Sequence, residues 1–66
     1  MRVLVNGAPR EIARETTLDA LLRDLAVDPR RVAVAVNAAV VPRPEYPGRV
    51  LAEGDAIEVI EPVGGG

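Results

Sequence analysis

The sequence has no cysteine, histidine, tryptophan or phenylalanine. It also has no lysine and no serine. Without cysteine there is no disulfide, and no thiolate to bind a metal or attack a substrate. Without histidine the commonest metal ligand and the usual general base are gone. The only hydroxyls are Thr16, Thr17 and Tyr46, so nucleophilic catalysis by a side chain has almost nothing to work with. Carboxylates remain, but an acid–base pair needs a cleft, and a chain this short frames none. A self-contained enzyme is therefore not expected. The single aromatic and the lack of a basic stripe argue against nucleic acid as a partner. No run approaches the roughly 20 apolar residues of a membrane span. The first residues lack the pattern of a secretory signal, which makes the cytoplasm the expected compartment.

What is present suits one small domain of 66 residues. A domain of this size buries only about 60% of the surface of its unfolded chain. Eleven Val, six Leu, three Ile and ten Ala must supply the core. Such a fine-grained aliphatic interior leaves no room for a buried cofactor, which needs about 300 Å³ or more. All eight cations are Arg, against ten acids, for a net charge of −2. Residues 1–50 hold all eight Arg and six acids, whereas residues 51–66 hold Glu53, Asp55, Glu58 and Glu61 and no base. An acidic last quarter suits a basic groove on a protein partner.

Hydrophobic periodicity divides the chain. Arg2–Val5 reads as a strand running into Asn6-Gly7, a strong hairpin-turn pair. Arg10–Arg14 reads as the returning strand, with Pro9 at its start or edge. Thr16 begins a helix on a loose capping-box spacing with Asp19. Leu18, Leu21, Leu22 and Leu25 form one apolar stripe, and Pro29 stops the helix. Arg31–Asn37 is a strand with Val32, Val34 and Val36 on one face. Its alternating Ala33 and Ala35 suggest that both faces are at least partly covered. A short return strand ends at Pro42, and Tyr46 plugs the following proline-rich loop. Gly54 sits at a positive-φ turn, and Ala56–Glu61 forms the last strand.

One helix between an N-terminal hairpin and later strands allows the last strand to lie parallel beside the first. This predicts an α+β, β-grasp (ubiquitin-like) fold, with a mixed sheet of four to five strands covered by one helix. Residues 1–61 form the domain, and residues 62–66 a flexible glycine tail. Five extended residues reach up to about 18 Å. Gly64 and Gly65 lack a Cβ and thread a narrow channel easily. Gly66 then presents an anionic carboxylate. That group is a poor electrophile until activated, and the chain has no phosphate-binding G-x-x-x-x-G-K loop with which to activate it.

The whole chain resembles the ThiS family, the small sulfur-carrier proteins of thiamin biosynthesis. The resemblance rests on VNG at Val5–Gly7, AVAVN at Ala33–Asn37 and VVPR at Val40–Arg43, together with EGDAIEV at Glu53–Val59 and VGGG at Val63–Gly66. Ala38 departs mildly, standing where a tight turn often uses Gly or a polar residue. The resemblance implies that a ThiF-type enzyme adenylates Gly66 with ATP, the chain itself binding no cofactor. Sulfur, typically from cysteine through a desulfurase, then gives a thiocarboxylate, and thiazole synthase takes up that sulfur.

Strand alternation places Val3, Val5, Ile57 and Val59 toward the helix. Leu4, Ala33, Ala35 and Ile60 then make an apolar patch on the other face, ringed by Arg2, Glu58 and Glu61. Leu4, Glu58, Ile60 and Val63 are the expected docking residues for the partner enzymes. Alternative readings are the small subunit of molybdopterin synthase, a tRNA-thiolation carrier, a ubiquitin-like modifier and a non-catalytic β-grasp binding module with an idle tail.

Overall fold

A computed structural model describes residues 1–61. Val63, Gly64, Gly65 and Gly66, together with the tail proposed for 62–66, lie outside the described residues. Five strands form one sheet in the order β2-β1-β5-β3-β4. They are β1 (Arg2–Val5), β2 (Ala8–Glu11), β3 (Ala33–Val36), β4 (Ala39–Val41) and β5 (Ala56–Ile60). One helix, α1 (Leu18–Asp24), covers one face. The strands β1 and β5 run parallel, in the register Leu4↔Ala56 and Val5↔Ile57, and the other pairs are antiparallel. This is the β-grasp arrangement.

The N-terminal hairpin is tighter than expected. Asn6 (φ 49°) and Gly7 (φ 85°) form a two-residue turn with both φ positive, which matches the twist of the flanking strands. Val5 therefore pairs at once with Ala8. The return strand starts at Ala8 and not at Arg10, and it ends at Glu11. Pro9 faces Leu4, where the alternation of pairs in an antiparallel ladder turns its nitrogen to the free edge, so no ladder bond is lost.

The helix starts one residue later than the sequence suggests. Thr17 is its cap, with Oγ1 accepting the Ala20 amide at 3.2 Å. The Thr16 hydroxyl instead donates to the Ala13 carbonyl at 2.6 Å. Leu18, Leu21 and Leu22 are buried, and Leu25 packs at the margin of the core. The helix ends well before Pro29, because Ala26 turns left-handed (φ 61°). Its amide then donates to the Arg23 carbonyl at 3.0 Å, and the Val27 amide to the Leu22 carbonyl at 2.9 Å, closing the last turn.

A 3₁₀ turn, Pro29–Arg31, takes the start of the strand expected from Arg31, so β3 begins at Ala33. Asp28 caps this turn by accepting the Arg30 amide at 2.9 Å. Val34 and Val36 are buried, while Ala33 is exposed and Ala35 half-buried. The outer face of β3 is therefore more open than its unbroken apolar run implied. The proline-rich loop is a second 3₁₀ segment, Arg43–Gly48. Tyr46 is buried there, and its hydroxyl donates to the Val32 carbonyl at 3.1 Å. Val3, Val41, Leu51 and Ile57 complete a core with the valines of β3 and the three leucines of α1.

Two polar clamps finish the sheet. Asp55, 9% exposed, accepts the Ala52 amide at 2.8 Å and the Asn37 Nδ2 at 2.9 Å. Asn37 Oδ1 accepts the Ala56 amide at 3.0 Å. This ties the turn at Gly54 (φ 84°) to the β3–β4 turn, where Asn37 (φ 52°) and Ala38 (φ 68°) are both left-handed. At the start of the chain the Met1 amine donates to the Ile12 carbonyl at 2.7 Å.

Candidate functional site

The helix covers the face carrying Val3 and Ile57, and among the described residues no element covers the other face of the sheet. Side chains alternate across a strand, so Leu4, Ala33, Ala35, Glu58 and Ile60 share that outer face. Leu4 is 38% exposed and Ile60 59%. Ala33 lies directly across from Ile60, and Ala35 across from Glu58. The structure thus brings together the residues of the expected patch that it describes. It changes the place of one of them. Glu58 does not sit on the rim but in the patch, with Ala56 and Ile60 along its strand and Ala35 beside it. Arg2 is at the rim, held by Glu11 at 3.1 Å.

Val40 belongs to the same face and was not anticipated. It pairs with Ala35 and is 77% exposed. Its sequence context, Val40-Val41-Pro42, gives no clue to which valine points outward. The register across the tight Asn37-Ala38 turn decides it, because that turn makes Val36 face Ala39. The patch is therefore one strand wider than the sequence indicated.

The strand β5 ends at Ile60, and Glu61 is exposed. Its final residues are held on both sides. Val59 lies opposite Val34 and Ile60 opposite Ala33 on β3. On the β1 side the Asn6 side chain meets the main chain of Val59, accepting its amide at 2.8 Å and donating to its carbonyl at 3.4 Å. A shallow depression of about 430 Å³ lies beside this contact, lined by Leu4, Asn6, Gly7, Ala56, Ile57 and Glu58. A larger one, about 690 Å³, opens among α1 and the two 3₁₀ segments. Two of its cations already have partners: Arg23 contacts Asp19 at 3.1 Å and Arg30 contacts Asp28 at 3.1 Å. Among the described residues, no three His, Cys, Asp or Glu side chains cluster to hold a metal. No helix of the described residues is long and apolar enough to cross a membrane.

The ThiS family model matches residues 3–66. The chain belongs to the ThiS family. It is similar over its whole length to the crystal structure of a thiamine biosynthesis protein, ThiS, from Geobacter metallireducens, with a TM-score of 0.86, 32% identity and full coverage of both chains. The solution structure of a thiamine biosynthesis protein from the same organism gives a TM-score of 0.82 at 32% identity, covering all of this chain and 88% of that one. Two proteins named thiazole synthase are also similar. That of Paramagnetospirillum magneticum is 38% identical over 66 residues, and that of Magnetococcus marinus 46% identical over 66 residues. The chain spans about one-fifth of the length of each of these relatives (20%). The likeness to ThiS structures accounts for the mixed five-stranded sheet and single helix described above.

Proposed function

We propose that this chain is a sulfur carrier in the formation of the thiazole of thiamin, with Gly66 as the reacting residue. Where its carboxyl group is free, the carboxylate attacks the α-phosphorus of ATP in a ThiF-type partner. The acyl adenylate forms and pyrophosphate leaves. The terminal sulfur of a persulfide supplied through a desulfurase then adds to the acyl carbon, and AMP leaves with its oxygen as the acyl carbon–oxygen bond breaks. A thiol reductant then cleaves the sulfur–sulfur bond of the acyl disulfide, being itself oxidised to a disulfide as the donor thiol is freed, and the thiocarboxylate left on Gly66 passes its sulfur to thiazole synthase. Gly64 and Gly65 serve as the thread through the partner's channel. The chain acts as a carrier and binds no cofactor of its own; ATP belongs to the activating enzyme.

The observation that carries this reading is the family match over residues 3–66, which includes the glycine run. A side-chain set without cysteine supports it, since any sulfur carried must then ride on a main-chain carboxyl. The relatives named thiazole synthase favour the thiazole route over the molybdopterin and tRNA-thiolation routes. The test is intact-mass measurement after incubation with a ThiF-type enzyme, ATP and a sulfur source. Exchange of one oxygen for one sulfur at Gly66 is expected. An unchanged mass alongside an active control overturns the reading.

The outer face, with Leu4, Glu58 and Ile60 joined by Val40, and with Val63 following the domain, is the docking surface in this reading. An apolar sheet face around a single carboxylate suits a partner surface that is apolar with one cation opposite Glu58. Ile60→Asp places a charge in that contact at a position 59% exposed. It should leave the fold intact while slowing adenylation. A folded Ile60→Asp protein adenylated at the normal rate excludes this face.

A further inference from the structure

The parallel ladder between β1 and β5 has a missing rung, and a side chain fills it. The Leu4 amide donates to the Asp55 carbonyl at 2.9 Å, and the Asn6 amide to the Ile57 carbonyl at 2.8 Å. In a continuing parallel ladder the next acceptor, for the Val59 amide, is the main-chain carbonyl of Asn6. The hairpin turn removes it, because Asn6 adopts φ 49° and the chain swings toward β2. The Asn6 side-chain carbonyl takes its place at 2.8 Å, with the side-chain nitrogen 3.4 Å from the Val59 carbonyl. One residue thus both starts the turn and extends the ladder by a rung that its own turn would have cost.

That rung lies at the base of the proposed tail. Val59 is two residues before Glu61, the last described residue. On its other side β5 is held by β3 as far as Ile60. Without Asn6, the end of β5 keeps only one neighbour, and the chain leaving it gains freedom of direction. We infer that Asn6 is a positioning residue for the carrier reaction, its side-chain amide fixing the point and direction at which the reactive end leaves the sheet. The inference rests on the carrier reading given above. Among the described residues, the Asn6 side chain acts through the Val59 backbone.

The test separates this role from turn formation. Asn6→Gly keeps the positive φ that the turn requires but removes the side chain. Two readouts are used: amide hydrogen exchange at Val59, and the steady-state kinetics of adenylation by a ThiF-type enzyme with ATP, followed as pyrophosphate release. Exchange at Val59 should speed up selectively while the thermal midpoint of the domain changes little. KM for the carrier should rise about tenfold with kcat within about twofold, because ordering about one backbone residue is then left to the binding step. Asn6→Asp tolerates positive φ and keeps the acceptor, so Val59 should stay protected and KM should stay within about twofold of wild type. Unchanged Val59 exchange in Asn6→Gly, or faster exchange with unchanged KM, overturns the inference. A loss in Asn6→Asp equal to that in Asn6→Gly does so too. If wild-type protein is not adenylated at all, the carrier reading fails first and this inference with it.

Discussion

Asp55 offers the sharpest test of how the sheet is held. The residue is 9% exposed, and its carboxylate accepts from two donors, the Ala52 amide and the Asn37 Nδ2. Asp55→Ala leaves both unpartnered. Hydrogen bonds to a charged acceptor contribute about 1.5–3 kcal/mol each, but Ala52 is exposed and water replaces part of its loss, so a net cost of about 3 kcal/mol is expected. In a domain this small that lowers the thermal midpoint by roughly 12–24 °C. Asp55→Asn is the more discriminating change. The amide has nearly the same shape but only one acceptor oxygen, so one donor must face an NH₂ group. Asn37 cannot relieve this by flipping, because its Oδ1 already holds the Ala56 amide at 3.0 Å. A cost of about 2 kcal/mol is expected for Asp55→Asn, falling by more than half in an Asn37→Ala background where the competing donor is gone. Urea and thermal denaturation followed by circular dichroism measure both. A thermal midpoint for Asp55→Ala within about 3 °C of wild type refutes the clamp. Equal costs for Asp55→Asn with and without Asn37 refute the donor conflict.

Ala38 and Ala26 occupy left-handed backbone at φ 68° and 61°. Ala38→Gly and Ala26→Gly should each relieve steric strain of about 1–2 kcal/mol, less the added freedom of the unfolded chain, for a gain of about 0.5–1 kcal/mol read from denaturation. Tyr46→Phe removes the buried donor to the Val32 carbonyl and should cost about 1 kcal/mol with no change in the circular dichroism of the native state. The Asp28 carboxyl is held below the ordinary aspartate range by the Arg30 guanidinium hydrogen bond and the Arg30 amide. Its contribution is therefore present above the unfolded value and lost as pH falls through the lowered folded value. Arg30→Ala should raise the Asp28 midpoint in a carboxyl-carbon NMR titration, while the cap to the residue-30 amide keeps part of the lowering.

Local chemistry was legible in the sequence wherever a residue type has one strong conformational preference. Asn6-Gly7 announced a hairpin turn, though not how tight it is, the leucine spacing announced the buried face of α1, and Tyr46 was placed against the core as the plug of its loop. The parallel pairing of β5 beside β1 followed from element order. What stayed hidden was set by tertiary context overriding local preference. Alanine has no propensity for left-handed backbone, so the helix stop at Ala26 could not be read from it. Val40 and Val41 are chemically identical, and only the β3–β4 register sends one outward. The ladder role of Asn6 depends on a partner 53 residues away, which no local pattern encodes.

A carrier whose end becomes an acyl adenylate has to survive its own side chains. The eight cations of the chain are guanidinium groups, which stay protonated at neutral pH and do not compete for an acyl group. The Tyr46 hydroxyl is buried and donates to the Val32 carbonyl, the Met1 amine donates to the Ile12 carbonyl, the Thr16 hydroxyl donates to the Ala13 carbonyl, and the Thr17 hydroxyl accepts the Ala20 amide. In the language of peptide synthesis, the side chains of residues 1–61 offer no amine and no thiol to be acylated, and their one phenol arrives masked. Under the carrier reading, the activated carbon then reacts with the nucleophile its partner supplies and not with the protein that bears it.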